Sequence, residues 1–262
     1  MLKTWLIALY TVWCVLVFAL LLLPLLPIIL LGSWLYAQKI RFGLHLAHGM
    51  VRLWGFLAFV LMAIPIRTNW RFTPEKGKAY VYCANHFSYF DIAVLGTIVP
   101  GLYAFIGKIG VRKLPLFGYM YAKLHVMVDR SSPQSRAYSL AKCMRTLAEG
   151  RSIIIFPEGG IKAQNPPQMV YPFKDGAFTM AIQKQVPVVP ITLINNYQIL
   201  PDGPLFRVHW QPVDVVFHEP IPTVGLTQAD ADALREQAYQ VIDGELKKAV
   251  QGLTASAYRS NG

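Results

Sequence analysis

The segment from Trp5 to Leu31 carries no charged residue, and this feature constrains the fold more than any other in the chain. About 20 apolar residues are enough to cross a bilayer as a helix. The segment is longer than a signal-peptide core, which has roughly 7–15 apolar residues, and no small-residue cleavage site follows it. We therefore predict a retained membrane helix that Pro24 and Pro27 kink or end near its second half.

A second apolar run extends from Gly43 to Ile66, and its first half has a polar stripe. Arg41, His45, His48 and Arg52 recur at helical spacing and share one face. Such a stripe is costly in hydrocarbon but natural at headgroup depth, which favours a helical pair that dips into one leaflet. A hairpin that spans the bilayer stays open. Alternatively, the two histidines pack against the following domain; two histidines alone are a weak signal for a metal site.

The charge distribution also indicates a lipid surface. Residues 1–70 contain no Asp or Glu, whereas they contribute 5 of the 11 net positive charges through Lys3, Lys39, Arg41, Arg52 and Arg67. Basic residues between Trp, Tyr and long aliphatic side chains are typical of segments that meet anionic headgroups. We do not expect a nucleic-acid partner, because the chain shows no recognised nucleic-acid-binding module.

The three cysteines, Cys14, Cys83 and Cys143, are far apart and odd in number. This pattern fits a reducing compartment and argues against a disulfide framework or a zinc site. We predict that they are small buried hydrophobic residues and that the chain has no metal site.

After Arg67 the pattern changes to short β-branched or aromatic runs that alternate with longer helical stretches. Each of these runs is short enough to be a buried strand. The predicted strands are Ala79–Ala84, Tyr103–Ile106, His125–Val128, Ser152–Phe156 and Val186–Leu193. The stretch from Arg207 to Phe217 is typical of a longer, half-exposed strand near an edge, since Pro212 cannot donate to a central ladder.

Helix signals lie between and after these strands. Ser132 is a candidate N-cap followed by Pro133, with Gly150 as terminator, and Thr227 with Asp230 forms a candidate capping box. Strands that alternate with helices predict an α/β fold, with a mixed, mostly parallel sheet flanked by helices. We therefore predict two parts: a membrane-embedded two-helix segment over residues 1–68 and an α/β domain over residues 69–262.

The first motif whose residues could take part in a reaction is Asn85-His86-Phe87-Ser88-Tyr89-Phe90-Asp91, directly after the first predicted strand. If a helix starts at Ser88, the Asp91 carboxylate lies about one turn in and can reach back to the His86 imidazole. A histidine oriented by a carboxylate is the minimal equipment of a general base. The alternative is a structural histidine, but the position at a strand end beside a lipid-facing segment favours catalysis.

Two further motifs follow predicted strands or form one. In Phe156-Pro157-Glu158-Gly159-Gly160, the proline ends the strand and the glycines let a ligand approach, so Glu158 at the sheet edge could hold substrate hydroxyls. Lys162 and Lys174 could neutralise a phosphate, or they are simply solvated. The run Val186-Pro187-Val188-Val189-Pro190 indicates an edge strand or the wall of an apolar groove, with plain core as the alternative.

In this order, the three motifs resemble three of the four signature blocks of the 1-acylglycerol-3-phosphate acyltransferase family, the lysophosphatidic acid acyltransferases. The remaining block is similar to Gly107-Lys108 through Lys113-Leu114-Pro115-Leu116-Phe117-Gly118, ending at Val128-Asp129-Arg130. The resemblance covers residues 75 to 195. Four ordered blocks are far more specific than a histidine and an aspartate alone.

The resemblance implies transfer of an acyl chain from acyl carrier protein or coenzyme A to the sn-2 hydroxyl of lysophosphatidic acid, which gives phosphatidic acid without another cofactor. His86 matches the family's catalytic base and Asp91 its orienting acid. Acceptor binding and site architecture are implied for Lys108, Asp129, Arg130, Glu158 and Gly159. The implied setting is phospholipid biosynthesis at a membrane, the bacterial inner membrane, with the catalytic domain facing the cytoplasm.

One block departs from the family pattern. The family usually continues Phe-Pro-Glu-Gly-Thr-Arg-Ser, whereas this chain has Gly160, Ile161 and Lys162 at the last three positions. The arginine fork for the acceptor phosphate is therefore missing. Lys162 could replace it as a point charge; the other candidates are Lys108, Arg112, Arg130 and Lys174.

The missing arginine leaves the acceptor open and not the reaction, because His86 and Asp91 are both present and favour an enzyme. The acceptor could be another lysophospholipid or a lyso-aminolipid, and the chain could also be a non-catalytic lipid-binding protein on the same fold. A hydrolase that uses the same histidine and aspartate is the weakest alternative, because the chain has no Gly-x-Ser-x-Gly motif.

Overall fold

The computed structural model describes the backbone of residues 2–113 and 116–260, and the side chains of these residues up to Gly252. Leu114 and Pro115, which belong to one signature block, lie outside the described residues. The helices are α1 (Leu2–Ala37), α2 (Arg41–Leu61), α3 (Phe90–Ile98), α4 (Phe117–Leu124), α5 (Pro133–Ala148), α6 (Gly176–Lys184), α7 (Asn196–Ile199) and α8 (Ala231–Ser260). The strands are β1 (Ile66–Trp70), β2 (Val81–Ala84), β3 (Tyr103–Lys108), β4 (Val126–Val128), β5 (Ser152–Ile155), β6 (Val188–Leu193) and β7 (Val213–Phe217).

Helices α1 and α2 form an antiparallel hairpin, and each is long and apolar enough to cross a membrane. The helices cross closely at Gly32 and Gly43, where a Cβ on Gly32 would lie 2.7 Å from the Gly43 carbonyl oxygen. Only a residue without a side chain allows this approach. The predicted end of the first helix at Pro24 or Pro27 is wrong, because α1 continues through both prolines to Ala37.

The polar stripe on α2 faces the α/β domain over part of its length, as the alternative interpretation predicted. The His48 Nε2 atom lies 2.8 Å from the Tyr103 carbonyl oxygen, and Arg52 donates to the carbonyls of Val99 and Gly101. These carbonyls lie at the end of α3 and the start of β3, where strand and helix bonds leave acceptors open. His48 and Arg52 thus contact the domain, whereas His45 is exposed. The depth of the stripe in a membrane stays a prediction.

The described strands form one seven-stranded sheet in the order β1-β7-β6-β2-β5-β3-β4. The pairs are parallel except for β6 with β7, which confirms the predicted mixed, mostly parallel α/β fold. Strand β1 was not predicted, because its residues directly follow the apolar run of α2. It pairs with β7, so the predicted boundary between residues 68 and 69 falls inside a strand.

The two predictions that placed prolines near sheet edges need correction. Strand β7 begins only after Pro212, and β1 covers its outer side. Strand β6 is internal, since it lies between β2 and β7. Between the Ile191–Phe217 pair and the Val188–Ile221 bridge, residues 189–190 on the side of β6 lie opposite residues 218–220. The extra residue after β7 marks a bulge. A bulge tolerates Pro190, because the ladder is already interrupted there.

Side chains alternate between two cores on opposite faces of the sheet. Tyr82 and Ala84 pack toward α3 and the helical hairpin, whereas Val81 and Cys83 pack toward α5, α6 and α8. Both predicted helix caps are confirmed: the Ser132 side chain accepts a hydrogen bond at the start of α5, and Thr227 with Asp230 forms a capping box before α8. The carboxyl ends of β2, β3, β5 and β6 therefore meet at one edge of the sheet.

Candidate active site

The loop between β2 and α3 carries the predicted histidine and aspartate in direct contact. The Asp91 Oδ2 atom accepts hydrogen bonds from His86 Nδ1 at 2.9 Å and from the backbone N–H groups of Phe87 and Ser88 at 2.9 and 3.0 Å. Asp91 lies in the first turn of α3, where the helix leaves backbone donors open. One carboxylate thus orients the imidazole and shapes the loop that bears it.

The second oxygen of Asp91 is held by a residue that the sequence reasoning missed. Asn196 Nδ2 donates to Asp91 Oδ1 at 2.9 Å, and Asp91 is fully buried. Asn196 lies in α7, shortly after the carboxyl end of β6, and this position after a strand was the available signal. The Asn196 Oδ1 atom is buried and has no hydrogen-bond partner in the described part of the chain. The carboxylate is therefore fixed through both oxygens.

The His86 ring is held on its face as well as at its edge. It stacks on Phe156 with the ring centroids 3.9 Å apart and an interplanar angle of 15°. The His86 Nε2 atom has no hydrogen-bond partner in the part of the chain whose side chains are described, which ends at Gly252. Because Asp91 accepts the hydrogen bond from Nδ1–H, Nε2 carries the free lone pair of the ring and is the atom that can take a proton.

Glu158 follows β5 at the predicted edge of the sheet, and its side chain is buried against the histidine loop. The side chain is 1% exposed and accepts from the His86 N–H at 2.7 Å and from the Val170 N–H at 3.0 Å. Each carboxylate oxygen thus has a backbone donor. We infer that Glu158 positions the backbone of His86, which differs from the predicted role of holding substrate hydroxyls.

Burial raises the pKa of the Glu158 carboxyl from 4.5 to about 7, although its hydrogen bonds from Val170 and His86 act in the opposite direction. The unfolded carboxyl ionises near pH 4.5, whereas the folded one keeps its proton until about pH 7. The stabilising contribution is thus complete below pH 4.5 and is lost as the pH rises to about 7, an effect on the order of 3 kcal/mol.

We expect Glu158→Gln to make the slope of the melting temperature against pH more positive over this range, because the variant loses the carboxyl whose ionisation lowers stability there. Burial lowers the pKa values of His125 and His218, which acts in the opposite direction in both proteins, so only the difference between the two slopes reports on Glu158. Thermal unfolding at several pH values measures the slope. The glutamine side chain has one hydrogen-bond acceptor fewer, so the variant should have a lower melting temperature at acidic pH. The two proteins are therefore compared by the slope of melting temperature against pH and not by the melting temperature itself. Glu219→Gln, at an exposed position, is the control and should keep the slope. Parallel curves for Glu158→Gln and the unchanged protein would contradict the assignment.

The two glycines after Glu158 let cationic side chains lie across the loop. Gly159 and Gly160 have φ values of 82° and 142°, which other residues rarely adopt. A Cβ on Gly159 would lie 2.7 Å from Lys174 Cε, and one on Gly160 would lie 3.4 Å from Arg130 Nη1 and 3.9 Å from Lys162 Cε. The structure therefore brings Arg130, Lys162 and Lys174 together around the glycines.

Arg136, which the sequence reasoning did not select, joins this group. It lies in the first turns of α5 and donates to the Arg130 carbonyl at 2.7 Å. Its position near the start of the helix capped by Ser132, six residues after Arg130, could have indicated that it lies near Arg130. Partial burial and then the charges of Lys162, Arg130 and Arg136 lower the pKa of Lys174. We call Arg130, Arg136, Lys162 and Lys174 the cation cluster; mutual repulsion of this kind is relieved by a bound anion.

Lys108 is placed near this cluster and not within it. It is the exposed last residue of β3 and pairs in register with Val128 of β4. Hydrogen bonds from Ser131 lower the pKa of Asp129, with a smaller contribution from the charge of Lys108. Lys108 therefore lies beside the strand end that leads to Arg130, and Arg112 is exposed in the 3₁₀ turn that follows β3.

An apolar cavity of about 500 Å³ lies on the other side of the histidine loop. It is enclosed by α1 and α2 on one side and by α3, α4 and β3 on the other, and it reaches Tyr89 and Phe90 beside the loop. Residues 186–190 do not line this cavity, so the groove wall is wrong, whereas the interpretation as core is confirmed for Val188, Val189 and Pro190. A cavity with this lining suits a hydrocarbon chain.

The described residues contain no group of three or more His, Cys, Asp and Glu side chains that could hold a metal ion. The His86 Nε2 atom provides a proton acceptor between the cation cluster and the apolar cavity.

The chain is similar to known acyltransferases. A family model described as Acyltransferase matches residues 66–194. The chloroplastic 1-acyl-sn-glycerol-3-phosphate acyltransferase BAT2 of Brassica napus is 36% identical over 149 residues, which are 56% of this chain and 42% of that protein. The 1-acyl-sn-glycerol-3-phosphate acyltransferase of Limnanthes douglasii is 30% identical over 240 residues, which are 89% of this chain and 79% of that protein. The chain thus spans less than half of the first relative and most of the second.

A solved structure shares the fold. The crystal structure of the 1-acyl-sn-glycerophosphate (LPA) acyltransferase PlsC from Thermotoga maritima matches with a TM-score of 0.74 and 22% sequence identity. The match covers 94% of this chain and 97% of that chain, so it includes the helical hairpin as well as the sheet.

Proposed function

Because the chain belongs to the acyltransferase family that contains the 1-acyl-sn-glycerol-3-phosphate acyltransferases, we propose that it acylates the sn-2 hydroxyl of lysophosphatidic acid. The product is phosphatidic acid, and the donor is an acyl thioester of acyl carrier protein or coenzyme A. One observation carries the proposal: His86 is oriented by a buried carboxylate, and its Nε2 has no partner among the described residues. The family resemblance of the four blocks is confirmed; the substrates are our proposal.

The reaction needs one base and no covalent enzyme intermediate. As the acceptor oxygen attacks the thioester carbonyl carbon, its proton passes to His86 Nε2, and Asp91 stabilises the imidazolium that forms. The C–S bond then breaks, the electron pair leaves with sulfur, and the thiolate takes the proton from His86. The acyl chain ends in an ester with the acceptor, and the enzyme regains its neutral histidine.

The surroundings of His86 suit the two ends of a lysolipid. The cation cluster provides four positive charges for a phosphate at the loop of Gly159 and Gly160. The apolar cavity beside Tyr89 and Phe90 accepts an acyl chain. His86 lies between these regions, because its ring contacts Phe156 and its backbone is bonded to Glu158, the residue before Gly159.

The helical hairpin attaches the domain to a membrane. Helix α2 contacts the domain from His48, beside Tyr103, to Phe59, beside Phe90, and so lies along it for most of its length. A helix covered by a polar domain over this distance cannot also be surrounded by hydrocarbon. This supports a hairpin embedded in one leaflet and a domain on the surface. The cytoplasmic face of a bacterial inner membrane is our proposal for that surface.

An acyl-transfer assay tests the proposed function. Purified protein in detergent is supplied with acyl-coenzyme A or acyl carrier protein thioester and with a panel of acceptors. Transfer to lysophosphatidic acid is the expected result. Preference for a lysolipid with another headgroup would show that Ile161, in place of the family's arginine, changes the acceptor. Binding of lysolipid without consumption of either thioester would favour the non-catalytic alternative.

We expect Lys162→Ala to raise the apparent KM for lysophosphatidic acid by about fivefold and to leave kcat nearly unchanged, because an exposed point charge on a phosphate contributes mainly to binding. Initial rates at varied acceptor concentration measure both constants. Lys184→Ala, exposed at the far end of α6, is the control. An unchanged KM for Lys162→Ala would move the phosphate contact to another member of the cation cluster.

A further inference from the structure

The segment between β6 and β7, residues 201–212, exposes large apolar side chains at the same edge of the sheet as His86. Leu205, Phe206 and Trp210 are 59%, 61% and 59% exposed. Ser88, two residues after His86, donates to the carbonyl of Leu200 at 2.6 Å, so the segment starts beside the histidine loop. Three such side chains close together in sequence form an apolar patch that a water-facing loop would not need.

The segment is tied to the helical hairpin by hydrogen bonds. The Val208 N–H donates to Thr11 Oγ1 of α1 at 3.0 Å, and Trp210 Nε1 donates to the Ala63 carbonyl at 2.6 Å, just after α2. Thr11 lies within the uncharged run of α1. A segment bonded to that part of α1 is held at the same depth as the helix.

The segment also forms part of the wall of the apolar cavity. Phe206 and Val208 line it together with Val15 and Phe18 of α1. Val208 is buried, whereas Phe206 extends from the cavity to the surface. The segment and α1 therefore flank the same opening.

We propose that residues 201–212 insert into the same lipid leaflet as α1 and form, with α1, the opening through which a lipid reaches the apolar cavity. One face of α1 packs on α2, and the rest of the helix exposes large apolar side chains along its length, as in a helix that contacts lipid. Trp210 adds a ring whose N–H is satisfied, a property typical of the membrane interface. The inference rests on the proposed membrane location of α1 and is independent of acyl transfer.

Site-directed spin labelling tests the depth of the segment. The native cysteines are buried, so a nitroxide reagent should react mainly with an introduced cysteine. Leu205→Cys is labelled in the full chain and reconstituted into vesicles of phosphatidylethanolamine and phosphatidylglycerol. Val224→Cys is the control: Val224 is 80% exposed and follows β7 at the opposite end of the sheet. Power saturation then compares access of lipid-soluble oxygen and of a water-soluble nickel chelate.

We expect the label at position 205 to be several-fold more accessible to oxygen than to nickel, and the label at position 224 to show the reverse. Equal nickel access at the two positions would overturn the proposal. Nickel protection that appears only at high protein-to-lipid ratio, with dipolar broadening between labels, would assign the patch to a second copy and also overturn it. No thioester is present, so a failure of the proposed activity leaves the result interpretable.

Discussion

Replacing His86 by alanine should lower kcat for acyl transfer on the order of 10³-fold while folding and membrane binding persist. The variant loses the atom that accepts the proton of the acceptor hydroxyl, and nothing else near the reacting atoms is removed. The Asp91 carboxylate keeps its donors from Phe87, Ser88 and Asn196, so the variant leaves no unpaired buried charge. The loss should therefore appear in the chemical step and not in the stability of the fold.

Steady-state rates with saturating thioester and acceptor measure this effect, and vesicle flotation with circular dichroism checks membrane binding and folding. His45→Ala is a matched control, because His45 is exposed on α2. Normal turnover by His86→Ala would refute both the assignment of the base and the proposed mechanism. Loss of turnover together with loss of helical signal would instead show a structural role.

Asp91→Asn should lower kcat by about 10²-fold or more and lower stability by only about 1–2 kcal/mol. The new amide can place its oxygen toward His86 Nδ1 and the backbone donors, and its NH₂ group toward Asn196. Asn196 can turn to accept that bond, because its Oδ1 has no partner in the described residues. The geometry is thus retained, and the negative charge that stabilises the imidazolium is lost.

The comparison of two measurements separates orientation from folding. Thermal unfolding should show a small shift for Asp91→Asn, whereas single-turnover rates should show the large one. Asp232→Asn, with a side chain that is 82% exposed on α8, is the control for both. A change in rate of less than tenfold would show that the charge of Asp91 is not needed in catalysis.

Local signals in the sequence were sufficient for much of the sheet and its helices. The caps at Ser132 and Thr227 were recognisable, because capping depends on residues three positions apart. Strand β1 was missed, because its pairing with β7 lies more than 140 residues away in the sequence. Pro190 indicated an edge, whereas a bulge between distant segments allows it in an internal strand.

The candidate site also combines contacts that the local sequence predicted with contacts that depend on tertiary packing. The spacing of His86 and Asp91 is a property of one turn of the chain, so their contact was predictable. Glu158 was recognised as a motif residue, but its burial beneath His86 depends on how β5 and β2 pair. Asn196 and Arg136 were missed, because each approaches the site from a different element.

The sequence alone determined the class of fold, the order of the motifs and the histidine with its aspartate, because these depend on hydrophobic periodicity and on neighbours within one helical turn. Only the tertiary structure decided that Arg130, Lys162 and Lys174 meet at Gly159 and Gly160 with Arg136 beside them, and that part of the stripe of α2 faces the domain. Contacts of this kind form when distant segments pack together to bury apolar surface. The periodicity of one segment carries no information about which partner it meets.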